Sequence, residues 1–125
     1  MKLGLIGLGR MGKNLALNMA DHGHEIIAYN RTKEKTQELI KEQPNIRPAY
    51  SLEELKSMLP APRIIWLMVS AGAPTDEMLS ALSPTLEKGD IIIDGGNSYY
   101  KDTIRRYGEL KQKGIHFLDI GTSGG

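Results

Sequence analysis

Apolar and polar positions along this chain switch repeatedly between a strand period and a helix period. Residues Lys2–Ile6 form a short apolar run that meets glycines at once, which predicts a first strand. Residues 10–22 carry Met11, Leu15 and Met19 at i+4 spacing and stop at Gly23, the pattern of a helix. Residues 24–29, β-branched and ending on an aromatic, predict a second strand. Residues 32–41 predict a second helix, with Thr36, Leu39 and Ile40 turned inward. A loop containing Pro44 and Pro48 surrounds a weak third strand near residues 46–50. Ser51-Leu52-Glu53-Glu54 has the spacing of a capping box and opens a short helix, which Pro60-Ala61-Pro62 ends. Residues 64–69 are continuously apolar, as befits a strand covered on both faces. Residues 74–86 read as a broken helix and Ile91–Asp94 as a strand. Residues 99–113 read as a helix with Tyr100, Ile104, Tyr107 and Leu110 on one face, and residues 115–120 as a last strand.

Strands that alternate with helices call for parallel pairing, because a parallel crossover is right-handed and needs a helix of about this length. The fold expected is α/β: a Rossmann-like, doubly wound parallel sheet of six strands in the order 3-2-1-4-5-6. At 125 residues there is room for one domain, residues 1–125. The residues stop at Gly125, directly after a strand, as expected of a cut rather than of a natural terminus.

Charge and composition narrow the chemistry. A net charge of +1 provides no global field for nucleic acid or an acidic membrane, so a bound anion must be held by local groups. The absence of cysteine removes disulfides and thiolate metal sites. The longest strongly apolar run is far too short to span a bilayer. A cytoplasmic protein without nucleic-acid or membrane partners is the expectation. The three histidines, His22, His24 and His116, lack metal-ligand spacing, and no metal is expected.

Gly7-Leu8-Gly9-Arg10-Met11-Gly12 is G-x-G-x-x-G, following the first strand and opening the first helix. In that context Gly7 makes the tight turn, Gly9 lets the backbone approach a pyrophosphate, and Gly12 lets the helix pack close to the strand. Free N–H groups and the helix dipole then face the anion. The second strand runs into Asn30-Arg31-Thr32, where an acid would be expected for a ribose with a free 2′-hydroxyl. Arg31 suits a 2′-phosphate instead. One or two charge-assisted hydrogen bonds of about 1.5–3 kcal/mol each favour NADP over NAD by roughly tenfold to several-hundredfold. Arg10, a cation where the helix dipole disfavours one, points the same way. Gly121-Thr122-Ser123-Gly124-Gly125 also fits G-x-S-x-G, but a serine nucleophile needs a helix and then Asp and His after it, which these residues do not supply.

With the glycine loop, Asn30-Arg31-Thr32, Asp94-Gly95-Gly96-Asn97-Ser98 and Ser123-Gly124-Gly125 together, the whole chain resembles the decarboxylating 6-phosphogluconate dehydrogenase family. The Asp-Gly-Gly-Asn segment separates that family from related β-hydroxyacid dehydrogenases. The resemblance implies the cofactor-binding domain of an oxidoreductase that converts 6-phosphogluconate to ribulose 5-phosphate with NADP, NAD being possible. It implies that Gly7, Leu8, Gly9, Arg10, Met11, Gly12, Asn30, Arg31, Thr32, Val69, Ser70, Ala71 and Asn97 contact cofactor. It also implies that Asn97, Ser123, Gly124 and Gly125 bind the sugar acid, with Gly95 and Gly96 clearing space for the cofactor. Ser70 and Gly9, where many longer members carry lysine and alanine, point to the shorter bacterial-type branch, whose cofactor choice is less uniform. The family's proton-transferring lysine and acid lie in a helical second domain that also makes a homodimer, so no catalytic residue is expected within this chain. The alternatives are a β-hydroxyacid dehydrogenase of the 3-hydroxyisobutyrate type and a non-catalytic dinucleotide-binding module.

Overall fold

The computed structural model describes residues 1–96 and 98–120. Its elements are β1 Lys2–Ile6, α1 Arg10–Asp21, β2 Glu25–Tyr29, α2 Lys33–Glu42, β3 Arg47–Pro48 and α3 Leu52–Ser57. There follow β4 Ile64–Leu67, α4 Ala73–Leu82 with a 3-10 turn Ser83–Thr85, β5 Ile91–Asp94, α5 Tyr100–Gln112 and β6 His116–Asp119. The six strands form one all-parallel sheet in the order β3-β2-β1-β4-β5-β6, the Rossmann-like topology expected from the alternation.

Each face of the sheet has its own core. Leu3, Leu5, Leu8, Ile26, Ala28 and Leu39 gather on the side of α1 and α2. Ile6, Ile27, Ile65, Leu67, Leu79 and Leu110 gather on the side of α3, α4 and α5. β4 feeds both: Ile65 and Leu67 lie in one core, while Ile64 and Trp66 pack on the other, which is why its sequence has no polar alternation. Alternate side chains of one strand are thus committed to opposite faces, so a one-residue slip in register would break both cores at once.

Several elements depart in part from the sequence pattern. In α5 the stripe Tyr100, Ile104 and Tyr107 is exposed, and the inward positions are Arg106 and Leu110. The inward charge is tolerable because Arg106 is fully partnered, as described below. In α1 Leu15 and Met19 pack against the core as the spacing predicts, but the fully buried positions are Gly12 and Ala16, whose small size lets the helix lie against the sheet, and Met11 is exposed. β3 shrinks to two residues: Pro48 has no N–H to donate, and Ile46 instead donates to the Gln43 carbonyl at 3.1 Å. β4 ends at Leu67 rather than Val69, as the chain turns off toward α4. The capping box forms in part. Ser51 Oγ accepts from the Glu54 N–H at 3.0 Å, while the Glu54 carboxylate accepts from the N–H of Tyr50, at 3.4 Å, rather than that of Ser51.

Candidate functional site

The order β2-β1-β4 makes β1 the switch point, where the chain leaves first to one side and later to the other. Open α/β sheets bind ligands outside the carboxyl ends of their strands at this point. Among the described residues, four segments meet that edge: the glycine loop after β1, residues 30–32 after β2, residues 68–72 after β4, and residues 95, 96 and 98 after β5.

The three loop glycines have distinct causes. Gly7 has φ +101°, and a Cβ there would run into the Met68 carbonyl, so both conformation and space demand glycine. A Cβ on Gly12 would strike the Gly7 carbonyl, which explains the close packing of α1 on β1. Gly9 has φ −64°, and none of the described residues comes within 4 Å of where a Cβ would stand. Neither strain nor crowding within the protein requires glycine there, and the open space lies over the first turn of α1. That turn has no side-chain cap and no acidic residue. Its N–H groups and dipole are therefore directed at whatever fills the space.

The end of β2 is tied to this loop. Asn30 Oδ1 accepts from the Leu8 N–H at 2.9 Å, and Asn30 Nδ2 donates to the Thr32 carbonyl at 3.0 Å. Asn30 thereby fixes the glycine loop relative to Arg31 and Thr32, both exposed. A cavity of about 280 Å³ opens there, lined by Gly7, Tyr29, Asn30, Arg31, Val69 and Met78 among others. A second, of about 300 Å³, is lined by Gly9, Arg10, Lys13, Lys35 and Glu38. Lys13 is engaged by Glu42 at 2.8 Å, a hydrogen-bonded pair that raises its pKa above the ordinary lysine value. Arg10 and Arg31 form no ion pair or side-chain hydrogen bond among the described residues. Arg10 and Arg31, without such partners among the described residues, thus flank an uncapped helix N-terminus.

The loops after β4 and β5 are built around each other. Thr75 Oγ1 donates to the Ser70 carbonyl at 2.8 Å and closes the turn before α4. Asp94, fully buried, accepts from the Gly96 N–H at 2.9 Å and from Ser98 Oγ at 2.6 Å. A Cβ on Gly96 would meet the Val69 carbonyl, so this glycine clears space for the neighbouring loop. Arg106 reaches both loops, and with Arg105 it also grips Asp76 on α4. The Arg106 hydrogen bond holds the Asp76 carboxyl below its ordinary pKa; burial opposes this, and Arg105 assists. Sequence reasoning missed Arg106 and Asp76. The signal for Arg106 was its i+4 step to Leu110 on the inward face, overshadowed by the aromatic stripe. Asn97, Ser123, Gly124 and Gly125 lie outside the described residues.

A doubly wound parallel sheet with an uncapped, glycine-lined helix N-terminus at its switch point defines a dinucleotide-binding domain of the Rossmann type. The chain belongs, more narrowly, to the family of the NAD-binding domain of 6-phosphogluconate dehydrogenase, whose model matches residues 2–125. It is 56% identical to a decarboxylating 6-phosphogluconate dehydrogenase of Chlamydia pneumoniae over 98% of this chain and 26% of that protein. An NAD(+)-dependent decarboxylating 6-phosphogluconate dehydrogenase of Bacillus subtilis is 51% identical over 98% of this chain and 27% of its own length. The Plasmodium falciparum 6-phosphogluconate dehydrogenase, solved in apo form and in complex with its cofactor NADP+ and its substrate 6-phosphogluconate, superposes with a TM-score of 0.92 at 42% identity. That match covers all of this chain and 28% of the other. The chain therefore spans about a quarter of the length of the curated relatives it matches. No helix among the described residues is long and apolar enough to cross a membrane.

Proposed function

We propose that these residues form the cofactor-binding domain of a decarboxylating 6-phosphogluconate dehydrogenase that uses NADP. The observation that carries the reading is the open space over Gly9 at the uncapped start of α1, with Arg31 exposed and without an ion-pair or hydrogen-bond partner among the described residues at the adjacent strand end. The donor set fits the group: backbone N–H groups of the first turn for the pyrophosphate, and Arg31 with Thr32 for the 2′-phosphate. When bound, the nicotinamide supplies the acceptor for the electrons that leave the sugar acid. The chain's own residues bind and orient. Gly7, Leu8, Gly9, Arg10, Met11 and Gly12 cradle the pyrophosphate, Asn30 sets the spacing to Arg31, and Val69, Ser70, Ala71 and Asn97 line the far half of the cofactor. Asn97, Ser123, Gly124 and Gly125, which follow β5 and β6 in sequence, contact 6-phosphogluconate on this reading. Proton transfer and dimerisation belong to the rest of a longer, cytoplasmic protein.

Family membership over residues 2–125 supports this reading over a β-hydroxyacid dehydrogenase or a non-catalytic module. The NAD(+)-dependent name of the Bacillus subtilis relative makes NAD the second reading. Titration calorimetry with each dinucleotide separates the two. NADP binds at least tenfold more tightly than NAD, and Arg31→Ala removes most of the gap. Equal affinities in the unaltered protein overturn the NADP assignment. Failure of the intact protein to reduce NADP or NAD in the presence of 6-phosphogluconate overturns the enzymatic one.

A further inference from the structure

A dinucleotide seated on the glycine loop has two halves. Its adenosine side lies toward the end of β2, where Arg31 stands. Its other side crosses the switch point to the ends of β4 and β5. On that second side, two loops from different strands must hold one fixed spacing if a nicotinamide ring is to be oriented between them.

The residue that sets the spacing lies on neither loop. Arg106, on the inward face of α5, is only 1% exposed. Its Nη1 donates to Ser98 Oγ at 2.8 Å and lies 3.9 Å from Asp94 Oδ2, which engages the loop after β5. Its Nη2 donates to the Gly72 carbonyl at 3.2 Å, which engages the turn after β4. Its Nε donates to Asp76 Oδ1 at 2.9 Å, which fixes the start of α4 behind that turn. Ser98 Oγ in turn donates to Asp94 Oδ2, so the cation is relayed into the hydrogen bonds that hold Gly96 and Ser98. A planar guanidinium can serve these three directions at once. A lysine ammonium, a single point on a flexible stem, cannot.

We propose that Arg106 is a positioning residue for the nicotinamide half of the site: it brackets the loops after β4 and β5 in the spacing the cofactor requires. This deepens the proposed function and rests on it. A purely structural arginine would affect both halves of the cofactor alike, or neither. A bracket on the far side acts on one half.

The test uses the intact protein, its Arg106→Lys and Ser98→Ala variants, and two probes. NADP engages both halves of the site, whereas adenosine 2′,5′-bisphosphate engages only the adenosine half. In both variants the bisphosphate binds within about twofold of the unaltered protein, while NADP affinity falls at least tenfold for Arg106→Lys and by a smaller factor for Ser98→Ala. Ser98→Ala removes one surface-proximal oxygen and leaves both cores intact, so it reports even if Arg106→Lys fails to fold. Unchanged NADP binding in Ser98→Ala, or equal loss of both probes, overturns the proposal while leaving the function standing. An unaltered protein that binds neither probe overturns the proposed function itself.

Discussion

At the scale of single residues, the glycine loop separates two demands that the motif presents as one. Gly12 has no room for a Cβ because the Gly7 carbonyl stands there, whereas Gly9 has room and an ordinary backbone. Gly12→Ala therefore forces α1 away from β1 and destabilises the fold by about 1–3 kcal/mol, the usual cost of overpacking. Gly9→Val leaves folding nearly unchanged and lowers dinucleotide affinity at least tenfold, because the branched side chain occupies the space the anion needs. Urea unfolding followed by the single tryptophan, Trp66, measures the first effect, and titration measures the second. A stable Gly12→Ala protein, or a Gly9→Val protein with full affinity, contradicts this division.

Among the elements, the link between α4 and α5 carries a pH dependence. Asp76 on α4 has its pKa lowered by Arg106 and Arg105 of α5. Its carboxylate therefore contributes stability that is complete above the ordinary carboxylate range near pH 4, and lost as pH falls through the depressed folded value. In Asp76→Asn the neutral-pH stability is lower, and the loss between about pH 5 and pH 2 is shallower than in the unaltered protein. Trp66 fluorescence during urea titration across that range checks it; parallel pH profiles refute it. The elements themselves were legible wherever hydrophobic period and end signals agreed, as at β1, β5 and the Ser51 cap. They were misread where polar side chains hold the inside. In α5 the apolar stripe suggested the wrong face, because nothing in a one-dimensional pattern reveals that Asp94, Ser98 and Asp76 converge on Arg106 from two other elements. The glycine loop could be read locally because its parts are contiguous. The bracket could not, because its partners are up to 34 residues apart in sequence.

For the molecule as a whole, the described residues at the edge that carries the glycine loop include binding groups and the carboxylates Asp94 and Asp119, but no histidine. His24 precedes β2, His116 begins β6 and His22 ends α1, so all three histidines stand at the opposite edge of the sheet. Asp94 is at the ligand edge, but both its oxygens are already engaged. General acid and base groups contribute about 10²–10⁴-fold each. A polypeptide of these 125 residues accordingly binds NADP yet shows no measurable oxidation of 6-phosphogluconate, followed by absorbance of the reduced cofactor with the intact enzyme as control. Turnover near the control rate would assign the chemistry to a residue on this chain. The lack of partners at Arg31 has a different consequence, one for descent. An exposed side chain without an ion pair or hydrogen bond among the described residues can be replaced at a stability cost within about 0.5 kcal/mol. Selection on cofactor preference can therefore act at this position without being opposed by selection on folding, whereas Gly7, Gly12 and Asn30, which hold the loop, are closed to that kind of drift.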